Sequence, residues 1–229
     1  MLSFHYSIIQ SASYTAAGLG VKFQGINILL VHKKYTCIAL VLIILIASYQ
    51  AFTKLNTNPN FEIGEVIDSL DNVEVFYNGG VNHVRSRNLS VDGYNLGLSY
   101  QCVEFVKRYY YKHYKHQMPD SYGHAKHFFD KSIGNGQFSN KRGLYQYSNG
   151  HGDLPSKGDI VVYSPSLFNR YGHVSIVSMV DLENKKIEII QQNPGPFKPS
   201  RETYPIVSND GAYMVENNRI IGWLSLSGK

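Results

Sequence analysis

Apolar residues fall along this chain in three different rhythms. Between residues 32 and 52 (HKKYTCIALVLIILIASYQAF) they are unbroken from Cys37 to Ala47. Carried through Phe52, the run is still a little short of the roughly 20 residues that a membrane-spanning helix needs. From Cys102 they recur at 102, 105, 106, 109, 110 and 113/114, the spacing of a half-buried helix that Pro119 ends. A weaker helical pattern covers His124 to Ile133. After a loop from Gly134 to Gly158 the period becomes two. Asp159–Tyr163 (DIVVY), Val174–Val180 (VSIVSMV) and Lys186–Asn193 (KIEIIQQN) read as strands, Asp181–Lys185 as a hairpin turn and Arg219–Leu226 as a closing strand. A helix followed by an antiparallel sheet is an α+β arrangement.

These patterns divide the chain into a segment 1–34 of unclear status, an apolar segment 35–52, a polar linker 53–60 (TKLNTNPN) and one domain at 61–229. His32, Lys33 and Lys34 precede the apolar run, the order of a secretory signal or an N-terminal membrane anchor. No small-x-small cleavage pattern follows, and basic residues favour a cytoplasmic N-terminal side. The domain beyond is therefore expected outside the cytoplasm, tethered or inefficiently cleaved. Residues 1–31 lack any acidic residue and any periodic element; a true start nearer Val31 would explain them. Within the domain, Val81–Gly97 reads as loop. Glu104 and Arg108 form an i,i+4 pair on the outer face of the Cys102 helix, among Lys107, Lys112 and Lys115.

The chain has 229 residues, enough for one core-bearing domain and an extension. Its net charge of +5 permits an anionic partner without requiring one. KRYYYKHYKH mixes bases with aromatics, yet a helix packing its tyrosines on a core explains it more simply than nucleic acid. His113 with His116, and His124 with His127, are paired at metal-ligand spacing, but no acidic or Cys partners complete a zinc set. No phosphate-binding glycine loop is present, so neither metal nor cofactor is expected.

The candidate chemistry lies in a thiol. Of the two cysteines, Cys37 falls in the apolar run, so Cys102 is a free thiol in the domain. At the first turn of a helix, unpaired N–H groups and the dipole favour a thiolate. A thiol nucleophile needs a base, and the base a group that orients it. Folding the 181–185 hairpin sets His173 across from about residues 192–195, on a sheet face shared by Gln191 and Asn193. Either amide could accept the imidazole N–H.

The stretches YQCVEFVKRYY, GDIVVY, RYGHVSIV, IIQQN and IIGW, in this order over residues 88–226, resemble the CHAP family of cysteine amidohydrolases and peptidases. Within it they look most like the amidase domain of glutathionylspermidine synthetase/amidase. The resemblance implies a papain-like (CHAP/NlpC-P60-type) fold with its catalytic helix packed on an antiparallel sheet. It also implies Cys102 as nucleophile, His173 as base, and Gln101, with Tyr100 before it, shaping the oxyanion and substrate pocket. The implied substrate is a peptide or peptide-polyamine amide. The apolar segment points instead to a bacterial envelope location and to peptidoglycan peptides. Where that amidase carries Glu, this chain has Gln191, a weaker partner for an imidazolium. A catalytically silent module that binds cell wall or a protein partner is the alternative.

Overall fold

The computed structural model describes residues 28–209 and 212–228, so expectations for residues 1–27 lie outside the described residues. The chain divides into two compact units after Leu45. The first contains most of α1 (Ile28–Lys54), a helix of 27 residues. At 1.5 Å per residue this is about 40 Å, more than the roughly 30 Å of a hydrocarbon core. By length and composition His32–Lys54 is sufficient to cross a membrane. The apolar letters understate the helix because Tyr49, Gln50 and Thr53 continue its backbone pattern without being strongly hydrophobic.

The second unit runs from Ile46 to the C-terminus. Residues 53–60 are not a free linker there. Thr53 and Asn58 are buried, Asn58 donates to the Pro196 carbonyl (2.7 Å), and the Tyr77 hydroxyl donates to Asn56 Oδ1 (2.9 Å). The asparagines that give this stretch its loop composition are the groups that fasten it.

Two small antiparallel ribbons precede the main helix: β1 (Val66–Leu70) with β2 (Val73–Phe76), and β3 (Arg87–Leu89) with β4 (Asn95–Leu98). The segment expected as loop at 81–97 thus contains a strand and the start of another. α2 (Cys102–Tyr109) follows, widening into a π-helical turn at Tyr110–Tyr114 and leaving the helix at Lys115, with φ 55°. His124–Ile133 holds only a 3-10 turn, Ala125–His127. The main sheet is β5 (Gln137–Ser139), β6 (Leu144–Ser148), β7 (Ile160–Tyr163), β8 (His173–Asp181), β9 (Lys186–Ile190), β10 (Arg201–Asn209), β11 (Ala212–Val215) and β12 (Ile220–Ser225). Its strand order is β11-β10-β9-β8-β7-β12-β6-β5, with antiparallel pairing throughout. The sheet curls, so that Asn149, just beyond β6, exchanges two hydrogen bonds with Val215 in β11.

Side chains alternate along a strand, so the curl makes two cores. On one face, Phe105 and Val106 of α2 and Tyr110 of the turn after it pack on Val162, Val174, Ile176, Ile190 and Leu224. On the other, Trp223 lies among Val161, Tyr163, Val177, Ile187, Ile189 and Ile206. β4 approaches α2 so closely that a Cβ on Gly97 (φ 130°) would lie 3.3 Å from the Glu104 backbone.

The expected solvent face of α2 is absent. Glu104, Lys107 and Arg108 are all buried. Arg108 Nε donates to Glu104 Oε1 (2.6 Å) and its NH1 to the Glu74 carbonyl (2.8 Å). Lys107 donates to the carbonyls of Asn95 and Ser121 and lies over the Tyr94 ring. Burial, then the nearby Arg142 charge, pull the Lys107 pKa down to about 7. The ribbons and the 115–127 segment cover the side of α2 that its polar letters assign to water.

Candidate active site

Tyr100 adopts a left-handed φ of 65° and Gln101 an extended N-cap, so the chain turns sharply into α2 and places Cys102 at its first position. The backbone N–H groups of Val174, Val103 and Cys102 act on the Cys102 sulfur in the sense that lowers its pKa. Each favours a thiolate. The side chain is nevertheless only 8% exposed, and burial outweighs them, pushing the thiol pKa up to about 11. The expectation that the helix start lowers this pKa is therefore corrected. A desolvated sulfur loses more than three N–H dipoles return.

The influence of the Val174 N–H puts the sulfur near the start of β8, where His173 is the neighbouring residue. Gly172 (φ 76°) makes that approach possible, since a Cβ there would meet the Tyr163 carbonyl oxygen at 2.8 Å. The His173 ring sits beside Tyr163, with centroids 5.5 Å apart. Its Nε2 is 2.9 Å from Gln191 Oε1. The Gln191 Nε2 donates to the Pro199 carbonyl (3.2 Å). A carbonyl only accepts, so this bond fixes the amide's orientation and turns its oxygen toward the ring. The imidazole therefore carries its proton on Nε2, which leaves Nδ1 as the basic nitrogen. Burial, opposed by the Gln191 bond, pulls the His173 pKa down to about 4. The resting pair is a thiol and a neutral imidazole, and among the described residues no hydrogen bond joins them.

The two amides left open by the sequence separate here. Gln191 contacts the imidazole. Asn193 (φ 58°) instead donates to the Val81 carbonyl and to Gln101 Oε1, both at 3.0 Å. Gln101 in turn donates to the His83 carbonyl (2.6 Å), a bond that commits its amide to the loop. Tyr100 packs at a tilt against Phe76, with centroids 5.3 Å apart, and is not part of the cleft wall. The cleft has a volume of about 690 Å³, and its wall includes Arg87, Gln101, Cys102, His124, Arg170 and Asn193. Tyr49, Gln50 and Lys54, from the last turns of α1, also line it.

Sequence reasoning missed Gln192. Fully buried, it donates to Glu104 Oε2 (2.8 Å) and to the Gln101 carbonyl (3.0 Å), and accepts from the Phe76 N–H (2.8 Å). It ties the end of β9 to the start of α2, and so sets where His173 stands relative to Cys102. Its position between Gln191 and Asn193 was the available signal.

Residues 92–193 match the CHAP domain. The match spans all six candidate residues. CHAP domains are typically amidase or peptidase hydrolases and generally act on peptidoglycan. Two solved structures share local likeness. One, "The crystal structure of Ly7917", is 26% identical over 32% of this chain and 29% of that one, with a TM-score of 0.24. The other, "The crystal structure of Ly7917 with the hydrolyzing product of MDP", is 28% identical over the same shares, also at 0.24. The chain thus spans less than a third of either structure's length. No curated protein matches it.

Proposed function

We propose that the CHAP domain is a cysteine-dependent amide hydrolase acting through an acyl-enzyme, in a papain-like arrangement, on peptide amides of the bacterial envelope. As Cys102 Sγ attacks the amide carbonyl, its proton passes to His173 Nδ1, because burial disfavours a preformed ion pair. The tetrahedral oxyanion faces the N–H groups at the start of α2. The imidazolium then protonates the leaving nitrogen and the C–N bond breaks. Water, deprotonated by His173, hydrolyses the thioester and restores the thiol, releasing the acid. What supports this reading most is the Gln191-held imidazole, in the tautomer with Nδ1 free, one residue from the Val174 N–H that favours the Cys102 thiolate. α1, long and apolar enough to cross a membrane, supports reading an anchor or signal segment and, with it, an envelope location.

The substrates to compare are purified peptidoglycan and glutathionylspermidine. Incubating detergent-solubilised full chain with each should release a new amine and acid, detectable by mass spectrometry, from one of them. Cys102→Ala should abolish the release. Failure of the wild-type chain to cut either would remove the hydrolase reading. A binding module without catalysis is the second reading, favoured by the burial that holds the thiol protonated.

A further inference from the structure

The cleft wall is charged in one sense only. Among the described residues its ionisable side chains other than Cys102 and tyrosines are Lys54, Arg87, His124 and Arg170, with no Asp or Glu. The two guanidiniums are held, but not neutralised. Arg87 NH1 donates to the Asn95 amide oxygen (2.8 Å), with its charge over the Tyr122 ring. Arg170 NH2 donates to the Tyr171 hydroxyl (2.7 Å) and lies over that ring. Tyr122 and Tyr171 are themselves wall residues. Each guanidinium is therefore oriented by a neutral acceptor and an aromatic face, with donors left over and, among the described residues, no carboxylate paired with it. Elsewhere in the domain, Arg108 and Arg201 both bond carboxylates.

A planar cation pre-oriented in this way is a receptor for a carboxylate, which it can bind bidentately. We infer that the cleft selects a peptide bearing free carboxylates, and disfavours a polyamine amide, through Arg87 and Arg170. This rests on reading the cleft as the substrate site. A spermidine moiety would bring ammonium groups against Lys54, Arg87 and Arg170, with no carboxylate among the described wall residues to receive them. Glutathionylspermidine keeps one free α-carboxylate on its own γ-linked glutamate, so what separates it from a γ-linked peptide acid is its spermidine ammoniums in place of a second, terminal carboxylate.

The test separates recognition from turnover. Binding to full-length Cys102→Ala would be measured by calorimetry with three probes. These are acetyl-Ala-γ-Glu-Ala (with D- and with L-glutamate), its bis-carboxamide twin, and glutathionylspermidine. The dicarboxylate should bind about tenfold or more tighter than the twin. Arg87→Met and Arg170→Met, added singly, should each shrink that ratio several-fold while leaving the twin's affinity unchanged. Raising salt from about 50 to 500 mM should shrink it too. Equal binding of dicarboxylate and twin, tighter binding of the polyamine amide, no measurable dicarboxylate binding, or a preference untouched by both substitutions would overturn the inference. Carboxylate-selective binding without turnover by the wild-type chain would leave it standing and remove the hydrolase reading. Equal binding of dicarboxylate and twin, with both cut, would do the reverse.

Discussion

Two kinds of arginine frame Cys102, and they are built on opposite plans. Arg108, behind the thiol on α2, is buried and closed: Glu104, the Glu74 carbonyl and Gln192 take its donors. Arg87 and Arg170, in front of it, are exposed and open, held by an amide oxygen, a hydroxyl and tyrosine rings. A charge buried on folding must carry its counter-charge with it. A charge at a cleft surface can remain hydrated and exchange that water for a ligand. The closed arginine is thus a structural element and the open ones are recognition elements. The first should be felt in stability and the second in binding.

The largest effect should follow from breaking the closed set. Arg108→Met leaves Glu104 buried without its cation, at a cost of about 3–5 kcal/mol. Denaturant unfolding of the variant measures it. A loss under about 1 kcal/mol would show the network to be better hydrated than its burial indicates.

The imidazole gives the next largest effect. Unfolded, a histidine takes up a proton near pH 6.5; folded, His173 resists until about 4. The unfolded state binds more protons between those values. Stability is therefore full above pH 6.5 and is lost as pH falls toward 4, by about 3 kcal/mol from this residue. Comparing denaturant midpoints of wild type and His173→Gln at pH 7 and pH 4.5 checks it, since the variant should lose less on acidification.

Gln191→Glu should act in the opposite direction on the same ring. A carboxylate against Nε2 stabilises the imidazolium and should raise the His173 pKa by about 1–2 units. NMR titration of the ring proton measures this, and the acidic limb of any activity profile should move upward with it. No shift would mean that the residue at 191 does not set the ring's charge.

The sequence made the sites of the thiol and the imidazole legible for a physical reason. A helix of period 3.6 and strands of period two each announce their buried face in DIVVY, VSIVSMV and the 102–110 spacing. It did not show β5, β6, β10 or β11. Their letters, such as LYQYS and RETYPIVSN, mix polar and aromatic residues, and Pro205 inside β10 argues against a strand. The same limit hid the closed arginine. Glu104 and Arg108 look like a solvated pair until Asn88 and Gln192, far away in sequence, surround them. The choice between Gln191 and Asn193 was likewise invisible, because Asn193 is drawn off by Gln101 and Val81.

The smallest effect is the one that sharpens the comparison most. Arg170→Met should leave unfolding free energy nearly unchanged and Arg87→Met should cost about 1 kcal/mol, since neither removes a buried counter-charge. Arg87→Met strips the buried Asn95 Oδ1 of its donor, although Asn95 Nδ2 keeps its bond to the Ser121 carbonyl. Arg170 loses a bond to a hydroxyl whose ring stays packed on His124. Thermal melts of both variants beside Arg108→Met would set the three on one scale. If either open arginine proved as costly as the closed one, its tyrosine would be a structural support rather than a ligand platform, and the division between framework charge and recognition charge would fail at that residue.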